Sequence, residues 1–154
     1  MAMPHFWVQK KIHWSDTDAA GIAWFPNYFG WFEDAEEELY AAALGRSRQS
    51  LLDEIGFGLP RVEASAKYRA PIRAGQLIRV GIVTRLENPR RLRYEFEIRD
   101  DGNGMLLAEG FVRVACVVLG TFAPRDFPNE VLHLVEVLPA LAEQQGRDSA
   151  IPWA

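Results

Sequence analysis

Two stretches of the chain alternate apolar and polar positions with hardly a fault. Val62, Ala64, Ala66, Tyr68 and Ala70 take one parity, and Arg61, Glu63, Ser65, Lys67 and Arg69 the other. Leu92, Tyr94, Phe96 and Ile98 alternate in the same way with Arg91, Arg93, Glu95, Glu97 and Arg99. A period of two predicts strands with one covered face and one wet face, as antiparallel sheets have. "LIRVGIVTRLE" (77–87) follows Gly75 as a further strand, and the turn "ENPR" leads from it into the strand of 90–100. "DGNG" at 101–104 is a strong hairpin signal that opens into "MLLAEGFVRVACVVLG". Near the start, Phe6, Val8, Lys10, Ile12 and Trp14 alternate with Trp7, Gln9, Lys11 and His13, which predicts a strand over 6–14.

The period changes in "FPNYFGWFEDAEEELYAAALG". Tyr28, Phe32, Ala35, Leu39 and Ala42/Ala43 recur at helical spacing, and Phe29, Trp31 and Tyr40 widen the stripe, so much of this helix should be buried. Pro26 suits the first helical position, and Gly45 suits a left-handed stop. Gly30 costs a helix interior about 1 kcal/mol against Ala, which predicts close contact at that point. A short helix is expected within 46–56, "FGLP" is a connector, and "FPNEVLHLVEVL" reads as helical until Pro139. The order is thus a strand, a long apolar helix and four long strands. Such a helix must be covered, and the apolar face of one antiparallel sheet is the available cover. An α+β fold follows, as a single domain over 1–154 whose sheet wraps the helix. The run "EGFVRVACVVL" carries too little charge to blunt a sheet edge, so edge-to-edge pairing of two chains into a closed dimer is expected, with the wet faces pairing dimers into a tetramer.

Composition narrows the function classes. The chain has 154 residues, 49% hydrophobic and 25% charged, which is the balance of an ordinary globular domain. A net charge of −4 argues against nucleic acid as partner. The lone Cys116 excludes an internal disulfide and fits a reducing, cytoplasmic setting. The start, Met1-Ala-Met-Pro-His, lacks the basic and apolar regions of a secretion signal, and the longest uncharged run, Ala19 to Phe32, is too short to span a bilayer.

The candidate chemistry concentrates in "SDTDAAGIAWFPNYFGWFE" (15–33), where two aspartates precede the helix. A calcium loop would use Asp16, Asp18 and Gly21 but would then need oxygens where Ala20, Trp24 and Asn27 stand. His5, His13 and His133 with one cysteine give no zinc spacing, so no metal is expected. Two readings of the aspartates remain: a cap or turn at the helix start, or a carboxylate held where it can react. No G-x-S-x-G supports a nucleophilic serine, "GFG" and "GNG" are turn fragments, and Cys116 reads as a buried inert thiol.

"DTDAAGIAWFPNYFGWFEDA" (16–35) resembles the aspartate-bearing active-site segment of hotdog-fold acyl-CoA thioesterases. It looks closest to the branch of the 4-hydroxybenzoyl-CoA and tol-pal-associated thioesterases, and "KYRAPIRAGQLIRV" continues the likeness loosely. The resemblance implies a hotdog fold, Asp18 as catalytic carboxylate before Gly21, and the Phe25 backbone N–H as oxyanion donor. Asp18 would act as nucleophile or as general base, and Asp16 would be structural. Trp24, Asn27, Tyr28 and Glu33 are the expected substrate contacts at the helix start. Arg90 and Arg91, adjacent at a turn, would hold nucleotide phosphates. The aromatic neighbourhood of Trp14, Trp24, Phe25 and Tyr68 suits an aryl or short acyl group. Many relatives carry an acid where this chain has Ala74-Gly75-Gln76. The expected activity is hydrolysis of acyl-CoA to acid and coenzyme A, with coenzyme A as part of the substrate and no separate cofactor. A hotdog hydratase or dehydratase, with His13 as its only nearby histidine, and a non-catalytic acyl-CoA-binding module are the rivals.

Overall fold

A computed structural model describes residues 4–148, 151 and 153. Met1 to Met3, part of the start read above, and the last positions of the expected 1–154 domain lie outside the described residues. The elements run β1 (Phe6–Lys11), α1 (Asn27–Leu44), α2 (Arg48–Ile55), β2 (Phe57–Gly58), β3 (Arg61–Tyr68), β4 (Leu77–Asn88), β5 (Arg91–Asp100), β6 (Leu106–Ala115), β7 (Val117–Val118) and α3 (Asn129–Asp148). Five strands form one antiparallel sheet in the order β1-β4-β5-β6-β3, and β2 pairs with β7 alongside.

One face of the sheet covers α1, as the period-two pattern requires. Ile78, Val80, Ile82, Leu92, Tyr94, Phe96 and Ile98 bury themselves against Phe32, Ala35, Leu39 and Tyr40. Phe32 stacks on Phe96 with ring centroids 4.4 Å apart and planes 8° from parallel. Gly110 makes that approach possible, since a Cβ there would lie 2.9 Å from the Phe32 ring. Gly45 stops α1 at φ 68°, in the left-handed region as expected. Gly30 is different: a Cβ there meets nothing within 4 Å, so the close contact expected at Gly30 is absent.

Three further expectations are corrected. β1 ends at Lys11 instead of reaching Trp14, because Ile12 turns inward and its N–H donates to the Gln76 carbonyl (2.9 Å). Trp14 begins a 3₁₀ turn and is 85% exposed. α3 runs through Pro139 rather than stopping there. Burial of Leu134 and Leu138 before the proline and Ala142 after it holds both halves in one stripe, against a cost of about 3 kcal/mol for a proline inside a helix.

The third correction concerns the edge. The valine-rich β6 lies inside the sheet, paired with β5 on one side and β3 on the other. The edges are β1 and β3. Along β1, the Trp7 N–H donates to Gln145 Oε1 (2.7 Å) and Gln145 Nε2 donates to the Trp7 carbonyl (2.6 Å), so α3 closes that side. Along β3, residues 61–64, 67 and 68 are exposed, and no residue of the strand is fully buried.

Candidate active site

The segment between β1 and α1 is pinned at both ends. The Gly75 N–H donates to the Ile12 carbonyl (2.7 Å), and the Ala23 N–H donates to the Ile72 carbonyl (2.7 Å). Within it, the two aspartates part company. Asp16 is tied into the loop: its Oδ2 accepts from the His13 N–H (2.8 Å), and its carbonyl accepts from both the Trp24 N–H (2.9 Å) and Asn27 Nδ2 (2.8 Å). Asp18 sits on a tight turn in which its carbonyl accepts from the Gly21 N–H (2.9 Å) and its own N–H donates to Ile22 (3.0 Å). Gly21 has φ 78°, which explains a glycine there. Only Oδ1 of Asp18 is engaged, by the Ala20 N–H (2.9 Å). Its Oδ2 has no protein donor among the described residues, and the side chain is exposed.

Neither aspartate caps α1, but the turn half of that reading holds: Asp18 Oδ1 closes a turn on the Ala20 N–H, and Asp16 Oδ2 closes one on the His13 N–H. The residue at the cap position is Pro26, which offers no side-chain hydrogen bond. The positive end of α1 is therefore left for another anion. Several N–H groups lie at that end. That of Asn27 donates to the Trp24 carbonyl (3.0 Å), and that of Tyr28 leans on the Phe25 carbonyl at 3.5 Å. Pro26 has none. The Phe25 and Phe29 N–H groups make no hydrogen bond among the described residues.

Around the Phe25 N–H stand the aromatics. Trp24 and Phe25 are 6.4 Å apart edge to face, Phe25 and Tyr68 are 6.3 Å apart, and Tyr68 meets Tyr28 at 4.7 Å. Tyr28 is buried, and burial pushes its hydroxyl up to about 12 with help from Tyr68, so it stays protonated at neutral pH. Trp24, Phe25 and Tyr68 are each about half exposed, an unusual arrangement for adjacent large aromatics. An aspartate with a free oxygen, an uncapped helix start and an open aromatic wall thus share one loop.

The sequence matches the Thioesterase-like superfamily over residues 12–135. The chain belongs to that family. An acyl-CoA thioesterase, YbgC, of Haemophilus influenzae is 31% identical over 121 residues, 79% of this chain and 87% of that one. A 4-hydroxybenzoyl-CoA thioesterase of Pseudomonas is 34% identical over 62 residues, 40% of this chain and 44% of its own. The crystal structure of Slr0204, a 1,4-dihydroxy-2-naphthoyl-CoA thioesterase from Synechocystis, superposes with a TM-score of 0.80 at 24% identity, over 87% of this chain and 97% of that chain. The fold is therefore the hotdog of this family, as the sequence led one to expect.

Other expected site residues of this hotdog domain lie apart from Asp18. Glu33 faces two arginines, Arg48 at 2.7 Å and Arg61 at 3.4 Å. Burial works to raise its carboxyl, yet the two guanidiniums outweigh it and hold the group below the usual carboxylate range. Beneath it lies a residue the acidic run hid. Glu36 is 1% exposed and bridges Arg48 (2.7 Å) and Arg61 (2.8 Å). The signal was in the spacing, since Glu36 falls between Phe32 and Tyr40 in the apolar stripe. Below Glu36 the hydroxyls of Tyr40 and Tyr94 meet at 2.8 Å, both fully buried and pushed well up by burial and then by Glu36.

Arg90 and Arg91 do come together. They line a cavity of about 420 Å³ with Asn88, Cys116 and Pro124, and Arg90 is 2.8 Å from Asp126. However, that cavity sits at the far end of β4 from the Asp18 loop. The loop is tied to Ile72 and Gln76, just before Leu77, whereas the arginines follow Asn88. Twelve residues of strand, roughly 40 Å, separate them within one chain. In the Ala74-Gly75-Gln76 stretch, Ala74 and Gly75 form the turn and Gln76 Nε2 donates to Asp100 (2.8 Å). Among the described residues, no helix is long and apolar enough to cross a membrane.

Proposed function

We propose that this hotdog domain hydrolyses an acyl-CoA thioester to the acid and coenzyme A, using Asp18 and the Phe25 N–H. The observation that carries the reading is the pairing of a half-free carboxylate with an uncapped helix start whose Phe25 N–H has no other partner. The thioester carbonyl oxygen would sit on that N–H and gain charge there as the carbonyl is attacked. Asp18 either attacks the carbonyl carbon directly or takes a proton from the water that does. In the first case the thiolate leaves and a mixed anhydride forms on Asp18; water then splits it to the acid and the free carboxylate, and the water's remaining proton goes to the thiolate. In the second case the proton that Asp18 takes from the water passes to the leaving sulfur. Trp24, Phe25, Tyr28 and Tyr68 would wall an aryl acyl group, in keeping with the aromatic acyl groups named for two of the relatives. Asn27 holds the loop through Asp16, so its part is to support the pocket.

A second chain completes this reading. The open edge β3 ends at Tyr68, whose hydroxyl donates to the Phe25 carbonyl, and begins at Arg61 beside the Arg91 end of β5. If two β3 edges pair antiparallel about a two-fold axis, the Arg61 and Arg91 end of one chain lies beside the Asp18 end of the other. The roughly 40 Å gap within a chain is thereby closed between chains. Arg90 and Arg91 of the second copy would meet the nucleotide phosphates, and Glu33 of that copy would face the acyl group. The charge-balanced outer face of the sheet supports a pairing of dimers. A lone cysteine, buried and with its thiol raised by burial, fits a cytoplasmic setting.

A hydratase would work through a histidine, for which His13, exposed in the same loop as Asp18, is the candidate. A binding-only module would have no use for Asp18. Thiol release over a panel of 4-hydroxybenzoyl-CoA, 1,4-dihydroxy-2-naphthoyl-CoA and short acyl-CoAs separates these readings. Turnover is expected on at least one aryl-CoA, with a loss of at least roughly 10²-fold in Asp18→Asn. Full turnover in that variant would refute the assignment.

A further inference from the structure

The turn after β7 puts a phenylalanine where the backbone geometry suits glycine. The Val118 N–H donates to the Ala123 carbonyl (2.8 Å), and the Phe122 N–H donates to the Val118 carbonyl (2.9 Å), which closes the turn over 119–122. At its last place Phe122 has φ 58°, and no other non-glycine among the described residues has a positive φ. Left-handed backbone suits Gly or Asn and strains a bulky side chain. Burial does not offset this strain, because Phe122 is 66% exposed and meets no other ring or cation among the described residues. Strain of this kind collects at functional sites.

The turn adjoins the cavity of Arg90 and Arg91. Val117 and Pro124, a bridged pair, both line that cavity. Phe122 stands two residues before Pro124, roughly 7 Å of extended chain, which is about the reach from a nucleotide's phosphate to its base. The Cys116 N–H donates to the Arg90 carbonyl (3.2 Å), and its carbonyl accepts from the Arg125 N–H (3.1 Å), so one residue ties the arginine turn to the chain that leaves Phe122. We propose that Phe122 is the platform on which the adenine ring of coenzyme A stacks, while Arg90 and Arg91 of the same chain hold the phosphates. The inference rests on the phosphate role proposed for those arginines and adds recognition of the base. A purine face stacks on an aromatic ring without needing hydrogen bonds, and a ring held out on a closed turn is preorganised for that contact. The base is remote from the thioester, so the contact is the same in ground and transition states. It acts on KM and leaves kcat.

Variants of Phe122 test this in the intact protein. Calorimetry with coenzyme A and with adenosine 3′,5′-bisphosphate reads binding without turnover. Phe122→Ala should weaken both about 5- to 10-fold, as loss of a base–aromatic stack does. The KM of an aryl-CoA should rise by the same factor, with kcat within about twofold. A pantetheine thioester, which lacks the nucleotide, should be hydrolysed as by the parent protein. Phe122→Trp keeps a ring and should bind as the parent does. Phe122→Gly should bind as weakly as Phe122→Ala yet melt no lower than it, since glycine accepts the left-handed backbone. Unchanged Kd values in Phe122→Ala, or equal losses on the aryl-CoA and the pantetheine thioester, would overturn the Phe122 inference alone. Parent-like binding of adenosine 3′,5′-bisphosphate after Arg90→Ala and Arg91→Ala together would remove the phosphate reading beneath it.

Discussion

The two edges of the sheet are built to opposite ends. At β1 the backbone is closed by a side chain: Gln145 of α3 gives Trp7 both an acceptor and a donor, as a neighbouring strand would. That half of α3 lies beyond residue 135, where the match to the family ends. At β3 nothing among the described residues covers the strand, and Val62 and Tyr68 stay about half exposed. Instead of a cover, β3 has an anchor, the Arg61–Glu36–Arg48 cluster, which ties its first residue to α1 and α2. Among the described residues, the chain thus seals one edge of the five-stranded sheet and braces the other in the open. The candidate site lies at the end of that open edge, where Tyr68 reaches Phe25.

The largest effect should come from spoiling the open edge. Ala64 is exposed in a lone chain, so Ala64→Lys leaves the fold intact while placing a charge where a second β3 would pair. Light scattering should show single chains, and thiol release should fall at least roughly 10²-fold at micromolar protein, since the arginines proposed to bind phosphate would no longer reach the site. An active monomer would show that one chain suffices.

Removing the brace should cost stability. Glu36→Gln strands two guanidiniums against a side chain that is only 2% exposed, so unfolding in urea should reveal a loss of about 3 kcal/mol. If the strand is held by its ladder to β6 alone, the midpoint will hardly move.

The smallest effect should come from the sealed edge. Gln145→Ala removes two hydrogen bonds to Trp7, for a loss of about 1 kcal/mol, and opens β1 to pairing. Species heavier than four chains should then appear on a sizing column as concentration rises. A mass distribution identical to the parent would show that α3 blocks this edge without Gln145.

These contrasts also mark what could be read from the sequence. The strands and α1 were legible because their periods differ, and Gly45 and the "DGNG" turn punctuate them. That Asp18 and Phe25 belong to one short segment was legible in the residues themselves. Strand order was not. A period of two tells which face of β6 is covered but not which strands flank it, so the valine-rich run passed for an edge when it is interior. The same blindness hid the distance from Arg90 and Arg91 to Asp18, since a hairpin's place along the sheet depends on topology. Glu36 was hidden by its acidic neighbours, although its position in the apolar stripe gave it away. Pro139 misled because tertiary burial on both sides outweighed a local rule.

The most direct test of a site shared between chains is complementation. Asp18→Asn chains and chains carrying both Arg90→Ala and Arg91→Ala are each expected to be nearly inactive on acyl-CoA. When the two are refolded together, half of the resulting dimers are mixed. Each mixed dimer holds one site with an intact Asp18 from one chain and intact arginines from the other. Activity should therefore recover to about a quarter of that of the parent protein. A mixture that shows no more than the average of the two variants would contradict the account.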